Sequence, residues 1–380
     1  MRKKVYISAP AVITPLGFTM EENLSAIKSD KIGIELHRNP KMLDRPFYAS
    51  LVDTEILDQN FSKLAEPDAF TKLEKMMILS LKKTIEGSGS NITPNSSLII
   101  ATTKGNIDLL EKDNAEIDRK GLSQLAAVIK EYFRFQQTPV VLSNACVSGL
   151  MAVSVAKRML ENGSCGEVFI VAGDLVTAFT LSGFDAFKAY SDKPCKPYSK
   201  FRNGITLGEA AASVLISSKG DSVGSAEILG ERSCNDANHI SGPSRTGEGL
   251  FRAINGALED SELGPEHIDA ISAHGTATLY NDEMEAIAFD RAKLTHVPLN
   301  SLKGYYGHTT GAAGLLEAII AIESMNENML YPSAGMDEAG VSKPLNIITR
   351  QEPKPIRYLL KTSSGFGGIN TAVVFRKNSN

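Results

Sequence analysis

The sequence predicts an α/β protein built from a duplicated unit, and three observations carry that reading. First, short β-branched runs alternate with longer helical runs along the whole chain, the pattern of sheets covered by helices. Second, "TPVVLSNACVSGLMAVSVAKRMLENG" and "THVPLNSLKGYYGHTTGAAGLLEAIIAIESMNEN" share one plan: an extended run, a polar turn, a small-residue helix start and a long apolar helix. Third, two more pairs follow in the same order, "SLIIATTKGNIDLL" with "IDAISAHGTATLYND" and "GEAAASVLISSKG" with "GGINTAVVFRKNSN". Recurrence of this kind is the mark of an internal repeat. The division falls near residues 218–220, giving an N-terminal half, 1–218, and a C-terminal half, 219–380.

In order along the chain, the β-branched stretches "KVYIS", "SLIIATT", "PVVLSNA", "EVFIVAG", "AAASVLIS", "SVGSAEILG", "IDAISAHG", "VPLNSL" and "TAVVF" predict strands. The longer runs "MEENLSAIK", "KLEKMMILSLKKTIE", "SGLMAVSVAKRMLE", "EGLFRAINGALEDS" and "GAAGLLEAIIAIESM" predict helices. The helix after Leu150 is apolar nearly all round, which places it in the interior.

The chain has 380 residues, enough for two ordinary domains or one large duplicated unit. Hydrophobic residues make up 42% and charged residues 22%, the composition of a globular protein without low-complexity tracts. A net charge of −4, spread along the chain, argues against a nucleic-acid binder or a membrane-surface protein. The start "MRKKVYISAPAVITPLGF" imitates a signal peptide, but Pro10 and Pro15 interrupt its apolar run. No segment is long and apolar enough to span a bilayer. Cys146, Cys165, Cys195 and Cys234 show neither metal-ligand spacing nor disulfide density. These points predict a cytoplasmic protein with no metal and no bound cofactor.

Chemistry concentrates at three junctions. Cys146, in "SNACVSGL", stands before a buried helix, where the helix dipole and free N–H groups favour a thiolate nucleophile. A buried cysteine is also a common inert hydrophobe, and this stretch alone leaves both open. His274, in "SAHGTAT", ends a predicted strand, and His308, in "KGYYGHTTGAAG", precedes another apolar helix. Such junctions are where open α/β sheets place ligands. Gly365, Gly367 and Gly368 around Phe366 permit the tight turn that would aim a backbone N–H at a ligand.

Together these motifs resemble the β-ketoacyl-acyl-carrier-protein synthases, the elongating condensing enzymes of the thiolase-like fold. The matching pieces are "NACVSG", "KPYSKFRNGITLGEAAA", "AHGTATLYND", "SLKGYYGHTTGAAGLLE" and "SSGFGGIN", in order from Cys146 nearly to the end. The resemblance implies a layered αβαβα arrangement and a ping-pong condensation. Cys146 would accept an acyl chain from a carrier protein as a thioester. His274 and His308 would be neutral and donate Nε2–H bonds to the malonyl thioester. The N–H groups of Cys146 and Phe366 would form the oxyanion hole, and Phe366 would gate the acyl pocket.

By the same resemblance, Lys303 would keep His308 neutral, while Asp282 and Glu317 would support the site from behind. Thr276 and Thr278 would bond the phosphopantetheine arm of the acyl carrier protein, the substrate carrier. Lys72, Lys75, Lys82 and Lys83 would offer a docking patch to that acidic partner. The remaining histidines, His37, His239, His267 and His296, and the other cysteines read as structural or surface residues.

Departures from the family pattern are Asn144 and Val147 beside the cysteine, Asn203 in place of an aspartate, Tyr306 in place of a threonine, and a short segment from Gly105 to Thr138. They bear on chain preference, with a modest tilt towards a specialised pathway such as an aryl polyene or polyketide over fatty-acid synthesis. A homodimer, or a heterodimer with a ketosynthase-like subunit, is expected. The alternatives are a non-catalytic chain-length-factor-like partner, which would lack the cysteine, a thiolase, which would place a second cysteine near Phe366, and an initiating synthase, which would replace one histidine by Asn.

Overall fold

The computed structural model describes residues 3–111, 119, 121–220, 224–236 and 238–378. Ten strands form one continuous sheet. In chain order they are β1 (Tyr6–Ile13), β2 (Ser96–Ala101), β3 (Val140–Leu142), β4 (Glu167–Asp174), β5 (Ala210–Ser217), β6 (Ala226–Asn235), β7 (Ala270–Ser272), β8 (Leu299–Asn300), β9 (Tyr358–Gly365) and β10 (Ile369–Lys377). From the centre outwards, one side runs β1, β5, β4, β2, β3 and the other β6, β10, β9, β7, β8.

Each side therefore uses its strands in the order first, fifth, fourth, second, third. The directions repeat as well: the two inner pairings are antiparallel and the two outer ones parallel on both sides. The sides join through a short antiparallel contact, Tyr6 with Glu227 and Ile7 with Ala226. This is the duplicated α/β architecture that the repeated segments predict.

Six helices matter for the site: α1 (Lys72–Ser88), α2 (Ser148–Glu161), α3 (Ala178–Ala186), α4 (Glu248–Asp260), α5 (Leu279–Arg291) and α6 (Ala313–Glu327). α1 covers one side of the sheet and α4 the other, while α2 and α6 pack on each other and on strands of both sides, forming the middle layer. Buried apolar residues run through both, including Leu150, Val153 and Leu160 of α2 and Leu315, Ile319 and Ile322 of α6. An all-round apolar helix fits only such a position.

α2 and α6 cross at glycines. A Cβ on Gly149 would stand 2.8 Å from Gly311 O, and one on Gly314 2.8 Å from Leu150 N and Cβ. The same geometry leads into each helix: Ala145 has φ 47° and Thr310 has φ 45°, each three residues before the first helical position. The two polar turns thus meet at the centre of the molecule. Among the described residues, no helix is long and apolar enough to cross a membrane.

Candidate active site

β3 delivers the chain to a left-handed turn at Ala145, and Cys146 follows, two residues before α2 begins. Ser148 Oγ ties the turn, accepting from Asn144 N at 2.9 Å and donating to Ala145 O at 2.7 Å. Cys146 is buried, and the Phe366 N–H is directed at its thiol. Its carbonyl accepts from Ser363 Oγ at 3.2 Å, which fixes the nucleophile turn to β9. Burial pushes the Cys146 thiol up to about 11, against the opposing fields of Lys303 and Lys104. Burial thus works against the lowering that the helix end offers the thiol.

β7 ends two residues before His274, whose N–H donates to Glu285 Oε1 at 2.8 Å. Gly275 N donates to Glu285 Oε2 at 2.6 Å and Thr276 N to Asp282 Oδ1 at 2.9 Å. Two carboxylates of α5 therefore hold the histidine loop by its backbone. Asp282 also accepts from Tyr198 N at 2.7 Å. Burial beside Asp282 raises Glu285 to about 7.

His308 N donates to Thr206 O at 2.6 Å, anchoring the second histidine to the strand-like run before β5. Its ring is buried, and among the described residues neither ring nitrogen has a hydrogen-bond partner. The two imidazoles lie edge to face, centroids 5.2 Å apart. Cys146, His274 and His308 each offer an Sγ or ring nitrogen, all within 4.8 Å of one another.

The Lys303 ammonium stands 3.2 Å from His274 Nδ1, 2.5 Å from His274 O and 2.6 Å from Glu317 Oε1. An ammonium can only donate, so Nδ1 accepts and the proton of neutral His274 sits on Nε2. Burial first, then the Lys303 charge, holds both histidines well below the usual imidazole range. The three reactive atoms are close enough to surround a metal ion. Lys303 opposes this, because it leaves His274 presenting a donor and no lone pair to the common space.

A cleft of about 340 Å³ opens onto these residues, lined also by Thr276, Thr278 and Phe366. Thr276 and Thr278 bond each other through their hydroxyls at 2.9 Å, and Thr278 caps α5. The Phe366 ring sits between Phe184 and Phe187 from the end of α3, each 5.6 Å away between centroids.

All nine residues singled out from the sequence surround this space or back it. One contact differs from the reading: Lys303 touches His274, and reaches His308 only through its field. The docking lysines also differ. Lys75 is buried against Asp58, Lys72 pairs with Glu209, Lys82 with Glu86, and Lys83 bonds Phe18 O. Lys75 and Lys72 are thus turned inward, while Lys82, 35% exposed, keeps its ammonium at the surface beside Glu86 of the same helix. His239 lines the cleft mouth, its Nδ1 accepting from Ser241 N and Gly242 N. Asn203 bonds Ser191 and Asp192. In the short segment Gly105–Thr138, a helix covers Leu122–Phe133, and residues 112–118 and 120 lie outside the described residues.

Sequence reasoning missed Glu285, Lys361, Asp174, Phe184 and Phe187. Asp174 accepts from Thr102 Oγ1 and Thr103 N, and from Thr310 Oγ1 and Gly311 N, tying both halves together behind the site. The signal for Glu285 was its spacing, three residues after Asp282 on one helix face.

Comparisons with known proteins agree with this geometry. Residues 2–222 match the family model "Beta-ketoacyl synthase, N-terminal domain" and residues 225–337 "Beta-ketoacyl synthase, C-terminal domain". The chain is 27% identical over 419 residues to "3-oxoacyl-[acyl-carrier-protein] synthase 2" of Vibrio cholerae, covering 99% of both proteins. It is 31% identical over 269 residues to "Putative polyketide beta-ketoacyl synthase 1" of Streptomyces halstedii, covering 66% of this chain and 64% of that one. Among solved structures, "The ishigamide ketosynthase/chain length factor" superposes with a TM-score of 0.91 at 23% identity over 100% of both chains, which speaks to the fold. With both family models matched across most of its length, the chain belongs to the β-ketoacyl synthase family.

Proposed function

We propose that this chain is a β-ketoacyl-acyl-carrier-protein synthase, joining malonyl units to a cysteine-bound acyl chain in fatty-acid or polyketide-type biosynthesis. The observation that carries the reading is the convergence of Cys146, His274 and His308 within 4.8 Å, with the Phe366 N–H on the thiol. In the first half-reaction Cys146 Sγ attacks the acyl thioester of the carrier, and the phosphopantetheine thiol leaves. The thiol proton passes to the departing sulfur, with the unpartnered His308 ring as the nearby relay. The N–H groups of Cys146 and Phe366 hold the oxyanion.

In the second half-reaction the malonyl carboxylate leaves as carbon dioxide. The electron pair of that C–C bond forms an enolate, whose oxygen lies against His274 Nε2–H and His308. The enolate carbon attacks the Cys146 thioester, the C–S bond breaks, and the thiolate takes up one proton. Lys303, Glu317, Asp282 and Glu285 act by holding His274. Thr276 and Thr278 receive the phosphopantetheine arm, and Phe366 gates the acyl pocket from between Phe184 and Phe187. No cofactor of the protein's own enters this scheme.

The acyl carrier protein is the partner this chemistry requires. A homodimer, or a heterodimer with a ketosynthase-like subunit, is the assembly we propose; the similar ishigamide structure is that of a ketosynthase/chain length factor. A non-catalytic role for this chain is opposed by the presence of Cys146. The test is intact mass after incubating the wild type and Cys146→Ala with a panel of saturated and polyunsaturated acyl-carrier proteins. An acyl adduct is expected on the wild type alone. No adduct with any donor, with or without a partner subunit, would overturn the assignment.

A further inference from the structure

Lys361, in the middle of β9, is fully buried. Its ammonium has four oxygen neighbours: Glu317 Oε2 and Thr362 O at 2.8 Å, and Ser272 O and Ala273 O at 3.3 Å. An ammonium has three protons, so this shell offers more oxygens than the lysine has donors. The hydroxyls of Ser272 and Thr362 are also buried without hydrogen-bond partners among the described residues, so the same two residues hold oxygens to spare. Such a shell of carbonyls and one carboxylate is what a hard cation takes as ligands. At 2.8–3.3 Å it is too wide for magnesium, at about 2.0–2.1 Å, or calcium, at about 2.3–2.6 Å. A large monovalent ion fits it.

The position of the cage ties it to the chemistry. Ser272 ends β7 and Ala273 leads directly into His274. Glu317 spans the gap, one oxygen on Lys361 and the other on Lys303, which touches His274 Nδ1. A lysine deprived of water in this way is costly unless its partners are in place.

We propose that Lys361 is a positioning residue for His274, acting as a monovalent cation tethered to the chain: it fills an oxygen cage that ties the end of β7 to Glu317. Through Glu317 it keeps Lys303 on His274 Nδ1. The catalytic part of this inference rests on the ketosynthase reading, and the cage itself does not. Removing the side chain should leave a site that a free potassium or ammonium ion can occupy.

The experiment compares wild type, Lys361→Ala and Lys361→Met at matched ionic strength in potassium, ammonium, methylammonium and tetramethylammonium chloride. Thermal melting and condensation rate are both read. Wild type should melt alike in all four salts. Lys361→Ala should melt several degrees lower in tetramethylammonium and recover in potassium, ammonium or methylammonium. Its kcat should fall about tenfold or more and return with the same ions, with KM little changed. Lys361→Met, which fills the cage without charge, should gain nothing from any ion.

Three outcomes overturn the proposal: a wild type stabilised by potassium over tetramethylammonium, an alanine variant that no small cation rescues or that folds in no salt, or a methionine variant rescued as well as alanine. Melting needs no turnover, so it tests the cage even if wild type condenses no donor, a result that would count against the functional reading alone.

Discussion

Alkylation of Cys146 as a function of pH sets two effects of known size against each other. Burial raises the thiol from an ordinary 9.0 to about 11. Two pH units correspond to about 2.7 kcal/mol against the thiolate, at about 1.36 kcal/mol each. The end of α2 returns about 0.3–1 kcal/mol and at most about 2. Burial wins, so Cys146 rests as a thiol at neutral pH. Reaction with iodoacetamide, followed by intact mass with Cys146→Ala as the blank, should therefore climb about tenfold per pH unit between pH 7 and 9.5. Lys303→Met should lower the rate further at every pH, because the Lys303 charge favours the thiolate. A rate that levels off below pH 9 would refute the reasoning and show that the helix end outweighs burial.

Two further outcomes follow from packing and from the buried imidazoles. Gly314→Ala forces its Cβ against Leu150 at 2.8 Å and should cost roughly 1–3 kcal/mol by urea unfolding, whereas Gly183→Ala, with nothing within 4 Å, should be neutral or slightly stabilising. His274 and His308 are held below 6.5, so the unfolded chain takes up their protons first; the stability they contribute is present above about pH 6.5 and is lost as pH falls below it. The melting temperature of wild type should thus drop more steeply from pH 7.5 to 5.5 than that of His308→Gln, while Glu285, raised to about 7 and of opposite sign, acts in both.

Much of the framework was legible because local pattern and burial agree in it. The helices Met20–Lys28 and Ser148–Glu161 and the strand Ala210–Ser217 have the limits their apolar patterns predict. The strand Tyr358–Gly365 was not foreseen, because Lys361 in "YLLKTSSG" reads as a solvent-facing residue, and the helix Leu279–Arg291 was hidden by Asp282 and Glu285 for the same reason. Both elements carry buried charge into the site, where backbone N–H groups, carbonyls and an opposite charge replace water. Pattern alone shows a charged residue without showing its partner. Two lysines of "FTKLEKMMILSLKK" fail in the same way: Asp58 and Glu209 take up the charges of Lys75 and Lys72 that an outside partner was expected to meet.

The two left-handed turns at Ala145 and Thr310 carry different chemistry. One carries the thiol; the other carries Gly311, where any side chain would begin 2.8 Å from Asp174 Oδ2. A second nucleophile has no room there. Two copies of one scaffold have thus become unequal, one specialised to hold the acyl chain covalently and the other to manage charge around it. Since Asp174, on a strand of the first half, bonds the Thr310–Gly311 turn of the second as well as Thr103 of its own, the specialisation cannot be undone by separating the copies: each half alone keeps a fragment of the reaction and loses the geometry that joins the fragments.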